Sequence, residues 1–262
     1  MARLYPLFSG SSGNSTYISS QSGGILIDAG GSFKAICTAL ERAGKSVEDI
    51  CAVAVTHEHT DHIKGLKTLL KKTGIPLISS LDTFNTLKSG DYIPENTQFI
   101  QADKGDIQIE NIGISYFSTS HDCKGSGGYV ISLPDGKKAA VCTDTGVLTE
   151  EMKEKISGCD AVLIESNHDV EMLKRGPYPP SLKIRILSDK GHLSNNDCAA
   201  VLPALLKSGT TRFVLGHLSR NNNLPMLALS AARATLADVG AVKDSDYILT
   251  AAKPDFNEVT VF

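Results

Sequence analysis

The sequence predicts an α/β (α+β) chain built as two mixed β-sheets packed face to face with helices outside. Three observations predict it. The first quarter reads as short strands joined by glycine turns, a second strand-rich stretch runs through residues 97–142, and helices alternate with apolar strands from residue 150 onward. Each half of the chain therefore supplies strands for a sheet and helices to cover it.

The elements follow in order. Residues 4–8 and 16–20 read as strands flanking Ser9-Gly10-Ser11-Ser12-Gly13-Asn14-Ser15, and Gly24-Ile25-Leu26-Ile27-Asp28 follows another glycine turn. Residues 32–43 carry a helical pattern that stops at Gly44, the residue type that most easily adopts the left-handed backbone past a helix end. Ile50-Cys51-Ala52-Val53-Ala54-Val55 is a continuous apolar run of strand length, which predicts a strand buried on both faces. Over residues 63–72, Ile63, Leu66, Leu69 and Leu70 recur at helical spacing, and Lys64, Lys67, Lys71 and Lys72 read as the solvated face. Strands are then predicted at 98–100, 107–109, 112–117, 129–133 and 139–142, a helix at 150–156 and a strand at 161–164. A helix at 195–207, a strand at 212–215, a helix at 226–237 and closing strands at 247–250 and 259–262 complete the chain. No internal repeat of short period and no low-complexity linker interrupts these elements, and a single domain over residues 1–262 is expected.

Composition narrows the function. With 41% hydrophobic and 21% charged residues the chain can bury an ordinary core, which excludes intrinsic disorder. A net charge of −3 excludes a surface that is basic throughout, although a local basic strip is compatible with it. No run approaches the roughly 20 apolar residues of a membrane span. Residues 1–6 lack the apolar run and cleavage site of a signal peptide, so a cytoplasmic location is expected. The six cysteines, Cys37, Cys51, Cys123, Cys142, Cys159 and Cys198, form no C-x-x-C pair and read as small buried hydrophobes. Cys123 stands apart because it lies two residues from His121, itself a candidate ligand.

The sharpest feature is Thr56-His57-Glu58-His59-Thr60-Asp61-His62, directly after the buried strand. Packing three imidazoles and two carboxylates into six positions gives no folding benefit, whereas imidazole and carboxylate together are the ligands of zinc, manganese or iron. The alternative is a polar helix start, with Thr60 and Asp61 capping the helix that follows.

H-x-H-x-D-H resembles the signature of the metallo-β-lactamase superfamily, and further segments match it. Phe117-Ser118-Thr119-Ser120-His121, Val141-Cys142-Thr143-Asp144-Thr145-Gly146 and Phe213-Val214-Leu215-Gly216-His217 each end a predicted strand in a residue type the family uses as a ligand. The resemblance covers nearly the whole chain and implies a four-layer αββα sandwich, the metallo-β-lactamase fold. It also implies two divalent metal ions, with His57, His59 and His121 on one, Asp61, His62 and His217 on the other, and Asp144 shared. Such a pair lowers the pKa of a bridging water, which Asp61 would orient or deprotonate.

The superfamily cuts several bond types, so the fold alone does not select one. An aspartate at position 144, where zinc β-lactamases carry cysteine, is similar to the phosphodiesterases and thioesterases. Lys190-Gly191-His192-Leu193-Ser194 resembles a ribonuclease Z element that supplies a histidine near the scissile phosphate, which implies a catalytic His192 acting as general acid. Its alternative role is a helix N-terminal histidine bonded to Ser194 or backbone. With Ser9-Gly10-Ser11-Ser12-Gly13-Asn14 and Glu165-Ser166-Asn167-His168-Asp169, the pattern most resembles the YycJ/WalJ-like branch. The branch implies a 5′-to-3′ exonuclease acting on DNA in preference to RNA, without a membrane or an obligate protein partner. Asp144 and His217 are too close in sequence to admit the cap domain of the ribonuclease J type. His168, Ser219, Asn222 and Asn223 are candidate substrate contacts, and the 10–15 loop is either a phosphate-binding loop or a plain turn. Lys174, Arg175, Lys183, Arg185 and Lys190, around Tyr178, form a candidate backbone-binding strip. The rival functions are a thioesterase of the glyoxalase II type and a metal-binding module without catalysis.

Overall fold

A computed structural model describes residues 1–21 and 23–262. The first sheet has the strand order β14-β1-β2-β3-β4-β5-β6, and its strands are β1 (Arg3–Phe8), β2 (Ser15–Ser20), β3 (Gly23–Ile27), β4 (Ile50–Ala54), β5 (Leu77–Ser79), β6 (Phe99–Gln101) and β14 (Thr260–Val261). The second has the order β13-β12-β11-β10-β9-β8-β7, with β7 (Ile107–Ile109), β8 (Ile112–Ser118), β9 (Gly127–Ser132), β10 (Lys138–Cys142), β11 (Ala161–Glu165), β12 (Arg212–Gly216) and β13 (Ile248–Ala251). Each sheet is antiparallel in one half and parallel in the other: β14 through β3 and β7 through β10 pair antiparallel, and β3 through β6 and β10 through β13 pair parallel.

Strand alternation sorts the side chains into three layers of core. Ala52 and Ala54 of β4 meet Ala161 and Leu163 of β11 between the sheets. Val53 and Val55 face the other way, toward α1 (Phe33–Arg42) and α3 (Leu66–Thr73), where Ile36, Leu40, Leu66 and Leu69 are buried. Val162 and Ile164 turn outward on the second sheet, under α5 (Glu150–Ile156), α8 (Asn195–Lys207) and α9 (Pro225–Asp238). The order of layers is helix, sheet, sheet, helix, as the sequence predicts. Tyr129 ties the sheets together, donating its hydroxyl to the Val55 carbonyl at 2.7 Å just below the histidine-rich loop.

Several expectations shift. The helix expected at 63–72 is two helices, a short one over Thr60–Ile63 (numbered α2) and α3, broken at Gly65. A Cβ at Gly65 would lie 2.2 Å from the Gly31 carbonyl oxygen, so the close approach of the 29–31 loop requires glycine there and sets the break. Three helices lie where none is expected: α4 (Leu81–Ser89), α6 (Val170–Arg175) and α7 (Pro180–Ile186), the last starting on a proline, which suits a first helical turn. All six cysteines are free. Among the described residues no helix is long and apolar enough to cross a membrane.

Candidate metal centre

The loops that follow β3, β4, β8, β10, β11 and β12 converge at one end of the sandwich. All seven histidines of the chain lie on or beside the last four of these loops, on the loop after β4, or at the start of α8. The structure brings His57, His59 and His121 together as one group whose ligand atoms lie within 4.8 Å of one another, and Asp61, His62 and His217 as a second. Asp144 joins His57 and His62 in a third, overlapping group and so stands between the other two. The ring centroids of His57 are 4.1 Å from His62 and 5.2 Å from His121.

Each imidazole is held from outside by one nitrogen, which leaves the other for the centre. His62 Nδ1 bonds Asp28 Oδ2 at 2.7 Å, and its Nε2 lies 3.4 Å from Asp144 Oδ2. His57 Nδ1 meets Thr56 Oγ1 at 3.0 Å, and its Nε2 lies 3.0 Å from His59 Nδ1. His121 Nδ1 is 3.2 Å from the Gly191 carbonyl, and His217 Nδ1 is 2.8 Å from Glu165 Oε1. An outer partner on each ring fixes both its rotation and its tautomer, the arrangement that orients metal ligands.

Three of the groups that build this frame were not assigned a role from sequence. Asp28, in the loop after β3, receives the His62 ring and both the amide and hydroxyl of Thr56. Asn14, in the Ser/Gly loop, points inward: its Nδ2 is 3.1 Å from Asp61 Oδ2 and 3.0 Å from His62 Nε2, and its Oδ1 accepts from the Gly10 amide. That loop therefore braces Asp61 and packs against His62. Glu165, fully buried at the end of β11, takes His192 Nδ1 and His217 Nδ1 on one oxygen, both at 2.8 Å, and the Thr145 amide on the other. Glutamate at a strand end carries no periodic or spacing signal, so only its place in the fold reveals it. His192 itself lies at the rim with 20% of its side chain exposed, its ring 5.2 Å from both His121 and His217.

Three of the seven non-glycine residues with positive φ among the described residues lie at the same place. Asp28, Asp144 and His217 have φ of 61°, 58° and 54°, a region that non-glycine residues seldom occupy and that is retained where surrounding structure enforces it.

The other candidates fall differently. His168, Asn222 and Asn223 are buried, and Ser219 is half-buried. Asn223 Nδ2 bonds the carbonyls of Ser166 and Asn167, and Asn167 Nδ2 bonds the His217 carbonyl, so this network anchors the loop that carries His217. Of the basic strip, Lys174 and Arg175 pair with Glu171, and Arg185 grips Asp122 through Nε and a guanidinium nitrogen.

The unpaired atoms test whether these residues suit a cation. Asp144 Oδ2 and His121 Nε2 are both buried without a hydrogen-bond partner. A buried carboxylate oxygen left unpaired is strongly unfavourable, and cations held by the ligand groups to which these atoms belong would satisfy them. The N/O ligand set fits zinc, manganese or iron. Electrostatics agree. Burial pushes Asp144 up, but His217, His62 and His57 outweigh it and hold the carboxyl well below its usual range. Burial pushes His62 and His217 down, but Asp144 and its neighbouring carboxylates raise them to about 10 and about 9.

This has a measurable consequence. Without metal, both rings are imidazolium at pH 7, and an imidazolium nitrogen cannot act as a ligand. Cation uptake should therefore release about two protons, and affinity should rise with pH up to the region of these raised values and weaken as pH falls. Titration calorimetry in two buffers of different ionisation enthalpy counts the protons; no net release would show the rings already neutral.

Two facing sheets with this cluster at their ends define a metallo-β-lactamase fold. The profile of the β-lactamase superfamily domain matches residues 24–218. The chain is 38% identical to exodeoxyribonuclease YycJ of Bacillus anthracis over 89% of either chain, and 37% identical to exodeoxyribonuclease WalJ of Streptococcus pneumoniae serotype 2 over 95% of this chain and 93% of that one. The crystal structure of the metallo-β-lactamase fold protein YhfI from Bacillus subtilis superposes with a TM-score of 0.72, at 15% identity, over 99% of this chain and 98% of the other. The chain belongs to the β-lactamase superfamily and, within it, to the family of the YycJ and WalJ proteins.

Proposed function

We propose that the protein is a dinuclear metal-dependent phosphodiesterase that degrades DNA exonucleolytically from the 5′ end. The observation that carries this reading is the meeting of two ligand groups, His57/His59/His121 and Asp61/His62/His217, at one buried carboxylate, Asp144. Two divalent cations of the zinc, manganese or iron class, when bound, supply an acidified water and stabilise charge on the phosphate under attack. The relatives named exodeoxyribonuclease, similar over most of both chains, support phosphodiester DNA as the substrate. The same reading takes residues 1–262 as one domain without a cap, working in the cytoplasm.

The chain's own residues then have distinct tasks. Asp61, braced by Asn14 and a quarter exposed, orients the attacking water and accepts its proton. His192 lies at the rim with Nδ1 fixed on Glu165, so its Nε2 is the nitrogen free to protonate the departing oxygen. Glu165 keeps that ring in one orientation and carries its charge when it is imidazolium, while binding His217 by the same oxygen. Ser219, the half-buried member of the expected substrate contacts, faces substrate, and Asn222 supports it, its backbone amide donating to Ser219 Oγ at 3.2 Å.

The test uses matched single strands of DNA and RNA, labelled at either end, and a thioester, each with and without manganese. Mononucleotides released first from the 5′ end of DNA are expected. Thioester hydrolysis without nuclease activity would overturn the proposal in favour of the glyoxalase II type, and inactivity on all substrates in protein shown to hold metal would favour a binding module.

A further inference from the structure

His59 meets, at its outer nitrogen, a potential ligand set that contains a thiol. Its Nδ1 lies 3.0 Å from His57 Nε2, inside the centre; its Nε2 lies 3.4 Å from Cys123 Sγ and 3.7 Å from Asp122 Oδ1, outside it. These three atoms lie within 4.8 Å of one another. We propose that His59, Asp122 and Cys123 form a separate thiolate site for a soft divalent cation, zinc or cadmium, on the rim of the catalytic centre.

Geometry argues for it. In a tetrahedral zinc site with ordinary bond lengths, nitrogen and sulfur ligands stand about 3.6 Å apart and nitrogen and oxygen about 3.3 Å. The separations at His59 match these within a few tenths of an ångström before any cation has drawn the ligands together. Asp122 is also oriented for the role: Arg185 holds its Oδ2 from helix α7, and its Oδ1 stands at the border of the two sites, 3.7 Å from His59 Nε2 and 3.3 Å from His121 Nε2. The Glu58 carboxylate lies beside the thiol, and its Oε2 is buried without a hydrogen-bond partner among the described residues, so negative charge that attracts a cation stands next to Sγ; burial and that same charge keep Sγ a thiol until a cation displaces its proton. With 38% of the His59 side chain and 31% of the Asp122 side chain exposed, a hydrated ion has access from solvent.

Ligand type separates this site from the inner one. The inner groups offer only imidazole and carboxylate, which manganese and iron accept; a thiolate selects zinc or cadmium. On binding, the Cys123 thiol gives its proton to solvent, and the His59 ring gives up its N–H when both nitrogens are ligated. The outer site rests on the proposed centre only in sharing His59.

Full-length protein preloaded with manganese and titrated with cadmium chloride tests the site, because only a thiolate on cadmium produces the ultraviolet charge-transfer band. One thiolate per chain is expected to respond in the wild type and none in Cys123→Ala or in the more conservative Cys123→Ser. Asp122→Asn should keep the band but weaken cadmium binding roughly tenfold or more. His57→Ala, which dismantles the inner group, should retain it, so that failure of the nuclease reading leaves this result standing. A band that persists without Cys123, no band in the wild type, or loss of the band in His57→Ala would overturn the proposal.

Discussion

Asp144→Ala is expected to lower kcat/KM on DNA by roughly 1,000-fold or more, because it removes the carboxylate common to both ligand groups. Asp144 is 2% exposed, its Oδ2 has no hydrogen-bond partner, and its Oδ1 is 3.4 Å from His217 Nδ1. The nearest imidazoles, His57, His62 and His217, all gain attraction from its charge. Alanine would leave these rings facing one another without a counter-charge, and metal content should fall to one ion per chain or fewer. Elemental analysis of protein purified without chelator, paired with the nuclease assay, checks both effects. Wild-type turnover with undiminished metal would remove Asp144 from the centre.

Much of this centre was legible in the sequence, for a physical reason. Imidazoles and carboxylates crowded into residues 57–62 repel or strain one another unless something binds them, so their density is itself a signal. His121, Asp144 and His217 are individually weak; each stands just after an apolar run, and runs of that kind fold into strands whose ends share one edge of a sheet. The layers were legible because Ile50 to Val55 and Ala161 to Ile164 are apolar at every position, as strands covered on both faces must be.

The support of the centre was not legible. Asp28, Asn14 and Glu165 act through contacts 20 to 52 residues away in sequence, and single polar residues in loops or at strand ends look alike whether they brace a ligand or face water. Strand β5 has three residues, too few for alternation to show. Helix α7 carries its apolar side chains unusually: Ile184 is 71% exposed while Ile186 is buried, so no helical face shows, and Lys183 and Arg185 read as part of a basic strip. The structure makes that segment a short helix whose Arg185 reaches the rim of the centre by way of Asp122. Sequence registers what must be buried more readily than it registers what one buried group requires of another.

Glu165 provides the second large effect, because its two oxygens have incompatible demands from an amide. Oε1 accepts from His192 and His217 at 2.8 Å each, and Oε2 accepts from the Thr145 amide at 2.8 Å and more distantly from Leu193. Glutamine has one acceptor oxygen and one donor nitrogen. Turning the NH2 toward Thr145 opposes two backbone N–H groups; turning it toward the histidines opposes two ring N–H groups. Either way, buried donors face a donor, and the carboxylate charge that burial resists but His192 and His217 sustain, bringing Glu165 to about 2, is gone. Glu165→Gln should therefore lower kcat by roughly 100-fold or more and also weaken metal retention through His217. His192→Ala should lower kcat to a similar degree while metal content stays at the wild-type level, since His192 bonds Glu165 at 2.8 Å and stands 3.9 Å from Asp144, beyond bonding distance. In Glu165→Gln the ring is already misdirected, so adding His192→Ala should cost little further turnover. Steady-state kinetics and metal analysis on the three proteins separate these roles. If the two losses multiply in full, Glu165 does not act through His192, and the assignment of that ring as a general acid fails with it.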